Sequence, residues 1–120
     1  MIRDMDLVRK ILLKIESHKG GPLSDVPKIE GYSDEEIAYA LTIMNDAGLF
    51  ECAMANRSGS RYPLIIPTRL TWEGHDFLDA SRDESRWEKA KKIVTEMGGS
   101  VTFDVFKAIL ISIMTSQIPK

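Results

Sequence analysis

An α+β domain, in which helices surround a single β-hairpin, is the fold class this sequence predicts, and three observations carry it. Apolar residues recur at helical spacing in five segments, and the stretch between the second and third changes to a period of two. Glycine, proline and helix-capping residues stand at nearly every change of pattern. The chain has 120 residues, 43% hydrophobic and 28% charged, a composition that buries one core and excludes wholesale disorder. Its formal net charge of -2 excludes a polycation that gathers nucleic acid by bulk charge.

The first helix is predicted over residues 4–17. Met5, Val8, Leu12 and Ile15, flanked by Leu7 and Ile11, form its apolar stripe, while Arg9, Lys10 and Lys14 face outward. Asp4 and Asp6 in the first turn favour the positive end of the helix dipole, and Gly20-Gly21-Pro22 stops the helix. Residues 19–32 hold three Gly and two Pro, with room for a short strand over 26–29 or a single helical turn. Ser33-Asp34-Glu35-Glu36 is a capping box, and Tyr32 before it is placed to staple onto Ile37. Ile37, Ala40, Leu41, Met44 and Ala47 line the inner face of this second helix. Gly48 takes the left-handed position beyond it, and Leu49 folds back toward Met44.

Phe50, Cys52 and Met54 then alternate with Glu51, Ala53 and Ala55, a strand pattern. Residues 56–60 supply a turn. Tyr62, Leu64 and Ile66 alternate in a returning strand, which Pro63 and Pro67 confine to a sheet edge. Thr71 caps a third helix anchored by Trp72, Phe77 and Leu78, with Gly74 allowing close backbone approach. Ser81-Arg82-Asp83-Glu84 reads as a second capping box before a fourth helix over 84–97, which ends at Gly98-Gly99. A fifth helix, over 102–117, is apolar on most sides yet too short and interrupted to span a membrane. No internal repeat or low-complexity tract is present.

A helix, a connector, a capped helix ending in Asp-Ala-Gly-Leu, a hairpin and a helix opening in Leu-Thr-Trp-Glu-Gly follow one another in the order of a winged-helix domain. The order resembles that fold, with the hairpin as its wing; it implies a winged-helix-like core over 1–80 and a helical extension over 81–120, packed on the core or on a second subunit. The segments RDMDLVRKILLKIE (3–16), YSDEEI (32–37) and LTWEGHDFLDASRD (70–83) resemble an uncharacterised family of bacteria and their phages, a domain of unknown function (family number 2513). The resemblance covers nearly the whole chain and transfers no catalytic or binding residue. One departure from the winged-helix pattern is the short interval 19–32, too small for the usual helix before the reading helix.

The winged-helix resemblance implies a small, non-enzymatic module, DNA-associated and regulatory, with double-stranded DNA as partner. The alternative is contact with another protein. Reading a groove needs Arg, Lys, Asn or Gln donors, yet residues 33–48 hold no Lys or Arg and four acids. Tyr39, Thr42 and Asn45 are the candidate contacts on that helix. The hairpin points the other way: Arg57, Arg61 and Arg69 lie in an acid-free run over 53–72, where they either meet phosphates or solubilise an exposed edge. Protein docking instead requires an exposed apolar patch including Tyr39 and Ile43.

Enzyme classes find little support. His18, Cys52 and His75 are far apart, and His75 with Asp79 is an ordinary i, i+4 pair, so no metal site is expected. Cys52 sits in an apolar, alternating strand and reads as a packing residue rather than a thiolate. No cofactor fingerprint or nucleophile elbow is present. Glu73, Asp76, Asp79, Asp83 and Glu84 read as a solvated helix face. The lone cysteine and the polar beginning of the chain predict a cytoplasmic, non-membrane setting. On the fifth helix Phe106, Ile109, Leu110 and Ile113 form one stripe, and Phe103, Ile111 and Met114 with Ala108 a second. Together Phe103, Phe106, Leu110, Ile111 and Met114 are the candidates for core packing or for a homodimer through this helix.

Overall fold

The computed structural model describes residues 3–19, 23–56 and 59–118. Among the described residues, five helices, α1 (Met5–Ser17), α2 (Asp34–Asp46), α3 (Trp72–Ser81), α4 (Glu84–Glu96) and α5 (Phe103–Ser116), and one antiparallel hairpin, β1 (Phe50–Ala55) with β2 (Leu64–Leu70), make up an α+β fold. The chain divides into two compact units, residues 1–75 and 76–120, with the boundary inside α3.

In the first unit, Asp4 is the N-cap of α1, accepting from the Leu7 N–H at 3.1 Å, rather than a residue of its first turn. Leu7, Val8, Ile11, Leu12 and Ile15 are buried. The predicted stop at Gly20-Gly21-Pro22 lies outside the described residues. Residues 26–29 form neither the strand nor the helical turn; they run as irregular chain into a turn in which the Tyr32 N–H donates to the Ile29 carbonyl. Pro27 has no N–H to give a ladder or a helical turn, and it holds Val26 out of the helical region.

The capping box at α2 forms as its spacing predicts. The Glu36 N–H donates to Ser33 Oγ at 3.1 Å, and the Ser33 N–H donates to Glu36 Oε1 at 2.9 Å. Ile37, Ala40, Leu41 and Met44 are buried, whereas Ala47 is the exposed C-cap and no part of the inner stripe. Gly48 has φ +72. The Leu49 and Gly48 amides donate to the Met44 and Asn45 carbonyls, a Schellman motif that turns the chain directly into β1.

The hairpin departs from its predicted phase. Register pairs Phe50 with Leu70 and Cys52 with Pro67, and the buried residues of β2 are Ile65, Pro67 and Leu70, not Tyr62, Leu64 and Ile66. A bulge opposite Glu51–Cys52 shifts the ladder beside Pro67, which has no N–H to give; the Thr68 hydroxyl there donates to the Glu51 carbonyl at 3.0 Å. In β1 Phe50 is buried and Cys52 half-buried, but Met54 is 54% exposed, because the strand runs out beyond the core.

Thr71 caps α3, its Oγ accepting from the Gly74 N–H at 3.1 Å. A Cβ on Gly74 would collide with the Leu49 carbonyl, which is why glycine stands there. Trp72 is 79% exposed and does not anchor the helix. At about 100° per residue it lies about 140° round from Phe77, off the buried face.

The second unit gathers Phe77, Trp87, Phe103 and Phe106, with Phe77 and Phe103 centroids 5.0 Å apart and Trp87 and Phe106 5.2 Å apart. Ser81 is no N-cap. It is the buried last residue of α3, its hydroxyl donating to the Leu78 carbonyl, and Asp83 caps α4 instead, accepting from the Arg86 N–H at 2.8 Å. Arg86 donates from Nε and Nη2 to the Ala80 and Asp79 carbonyls, satisfying the end of α3, and from Nη1 to Gln117 beyond α5.

Candidate interaction surface on the second helix and the hairpin

Helix α2 and the hairpin carry the polar residues singled out for nucleic-acid contact, and nearly all of them have intramolecular partners. Tyr39 is half-buried and lies against Tyr62 at the hairpin base, ring centroids 5.6 Å apart and planes tilted by 60°. The Thr42 hydroxyl donates back to the Ala38 carbonyl at 2.8 Å. Asn45 Oδ1 accepts from Cys52 Sγ at 3.6 Å. Arg61 faces Glu35 at 3.9 Å, joining hairpin to helix. Arg69 donates from Nε and Nη2 to both oxygens of Glu51, at 3.1 and 2.8 Å, and from Nη1 to the Leu70 carbonyl. Arg57 lies outside the described residues. Ile43, like Tyr39, is half-buried rather than openly exposed.

Beside this face the irregular segment 25–28, the N-terminal half of α2 and the start of β2 enclose a cleft of about 220 Å³. Its lining includes the buried side chains of Leu41 and Ile65 and the half-buried Val26 and Ala38, with the exposed carboxylates of Asp25 and Asp34 among its polar groups. Sequence reasoning missed it, because its walls come from three separate stretches that only the tertiary fold assembles. Just before α2, Lys10 stands over the ring of Tyr32, 5.4 Å from its centroid. Burial pushes the Tyr32 phenol above its ordinary pKa, reinforced by the charges of Asp4 and Asp6 and a hydrogen bond with Asp4. Burial alone pushes the Cys52 thiol up, so it is held as a neutral thiol.

The fifth-helix candidates separate by face. Phe106 and Leu110 are buried in the second unit, at 5% and 0% exposure; Phe103 and Met114 are half-buried; Ile111 is exposed. Among the described residues no group of three or more His, Cys, Asp or Glu is placed to hold a metal ion, and no helix is long and apolar enough to cross a membrane.

Comparison with known proteins gives two similarities. The family model described as "Hypothetical protein (DUF2513)" matches residues 2–100. A protein of Haemophilus influenzae, described as uncharacterized, is 29% identical over 119 residues, which is 98% of this chain and 99% of that protein. No solved structure matches the chain.

Proposed function

The chain belongs to the family of hypothetical proteins DUF2513, and we infer that this member is a non-enzymatic contact module that docks another protein through α2 and the hairpin. Tyr39 and Ile43 are half-buried and do not form the openly exposed apolar patch expected of a docking face, so one observation carries the reading: charge placement on that face. Residues 33–51 hold five carboxylates and no Lys or Arg, and the described hairpin arginines, Arg61 and Arg69, already face Glu35 and Glu51. Such a face repels a phosphate backbone, whereas a protein surface can complement it. Burial that raises the Cys52 thiol pKa argues against a thiolate nucleophile at that residue. Residues 1–80 serve as the winged-helix-like core in this reading and 81–120 as its helical extension, in a cytoplasmic setting.

The DNA-associated, regulatory alternative keeps the acid-free run over 53–72 as its support. Fluorescence anisotropy of a labelled random duplex at low salt decides between them. Protein docking predicts no binding. Saturable binding that weakens in Arg57→Ala and Arg61→Ala, with the salt slope falling by about one per lost phosphate contact, overturns it. Homodimerisation through α5 is a second contact, for which Ile111, 38% exposed, is the candidate that stands in the open. A monomer in sedimentation at micromolar concentration removes it.

A further inference from the structure

We propose that the cleft between segment 25–28, α2 and β2 receives one large apolar side chain of a partner protein segment, with a lysine or arginine beside it held by Asp25 and Asp34. The proposal rests on the protein-docking reading and names the chemistry of the partner. At about 220 Å³ the cleft is several times the ~30 Å³ share of one water, room for a large side chain. The half-buried Val26, Ala38, Pro63 and Leu64 give it reachable apolar walls, over the fully buried Leu41 and Ile65.

Two features select the occupant. The first is the backbone. Pro63, directly before β2, has no N–H to give an added strand, so a partner gains more from inserting a side chain into the recess than from extending the sheet there. The second is charge. The charged residues lining the cleft are the carboxylates Asp25 and Asp34 and the single cation Lys28. Lys28 reaches Asp34 at 3.8 Å with both side chains over 80% exposed, a pair that an incoming cation displaces at little cost. A basic, apolar segment meets both requirements; an acidic segment or a nucleic acid meets neither.

The test titrates the ¹⁵N-labelled full chain with a short peptide carrying one phenylalanine between pairs of lysines. Control peptides replace the phenylalanine by glycine or the lysines by glutamates. The phenylalanine–lysine peptide is expected to shift the amides of Val26, Ala38, Leu41 and Ile65, with Asp25→Lys and Asp34→Lys each weakening it roughly three- to tenfold. Asp25→Asn is the milder variant should Asp34→Lys disturb the helix start, and it should weaken binding in the same direction. Equal binding of the glycine peptide, which would be bulk attraction, overturns the proposal, as does preference for the glutamate peptide or no binding by any peptide. These failures leave docking through another part of the face intact, whereas duplex binding in the anisotropy experiment overturns the docking reading itself.

Discussion

In the hairpin-bearing unit the buried side chains are mostly aliphatic, from Leu7 on α1 to Leu70 on β2, and the chain is steered between them by backbone devices: the Ser33 capping box, the Gly48 turn and the close approach of Gly74 to Leu49. The helical unit relies on volume. Four aromatic rings, Phe77, Trp87, Phe103 and Phe106, stand within 6.4 Å of one another in the pairs that touch. Aliphatic packing tolerates exchange among similar shapes, so uniqueness in the first unit depends more on where the backbone turns. An aromatic cluster puts much of its buried area into few side chains, so the second unit depends on each of them.

The sharpest way to break this contrast is at Trp87, which is 1% exposed and touches both Phe77 and Phe106. Trp87→Ala should cost about 3–5 kcal/mol, read by urea denaturation. A loss within about 0.5 kcal/mol would mean that the aromatic cluster does not carry this unit. Next is a backbone position in the first unit. Gly74→Ala forces a Cβ against the Leu49 carbonyl, and the compensating backbone shift should cost roughly 1–3 kcal/mol. An unchanged denaturation midpoint would show that α3 slides freely against the loop after α2. Smaller again is Ser33→Ala, expected to cost about 1 kcal/mol through loss of the cap, with the same effect in a Glu36→Ala background only if the two halves of the box act independently.

The same contrast explains what could be read from the sequence. Local devices were legible because their residues are neighbours: Ser33 with Glu36, Thr71 with Gly74, Gly48 followed by Leu49. The family was legible too, from stretches such as RDMDL and LTWEGHDFLD. Features set by distant partners were not. Pro67 and the bulge moved the buried phase of β2 by one residue, although alternation at Leu64 and Ile66 fitted the pattern equally well. Ser81 had the composition of a capping residue but closes α3, since Asp83 lies nearer the start of α4. The pairing of Arg61 with Glu35 and Arg69 with Glu51 spans 26 and 18 residues, beyond any local pattern. Trp72 was misplaced for a different reason, as its angle from Phe77 was available from spacing alone.

Cys52 carries the smallest expected effect and refines the picture of the hairpin unit. It is half-buried, and its thiol donates to Asn45 rather than standing deep in the core. Cys52→Ala should therefore cost less than about 1 kcal/mol. Burial raises the thiol pKa, which means the fold favours the neutral form over the thiolate. The stability that follows is fully present below the ordinary pKa of an unfolded cysteine and is lost as pH rises through the higher folded-state value. Tyr32 is shifted in the same direction, so part of the alkaline loss should survive in Cys52→Ala and disappear only when Tyr32→Phe is added. Denaturation midpoints across the alkaline range measure this, and thiol labelling supplies an independent reading. Labelling should be slow at neutral pH and accelerate only above the ordinary thiol range; rapid labelling at neutral pH would mean that the hairpin stabilises a thiolate, contrary to its burial.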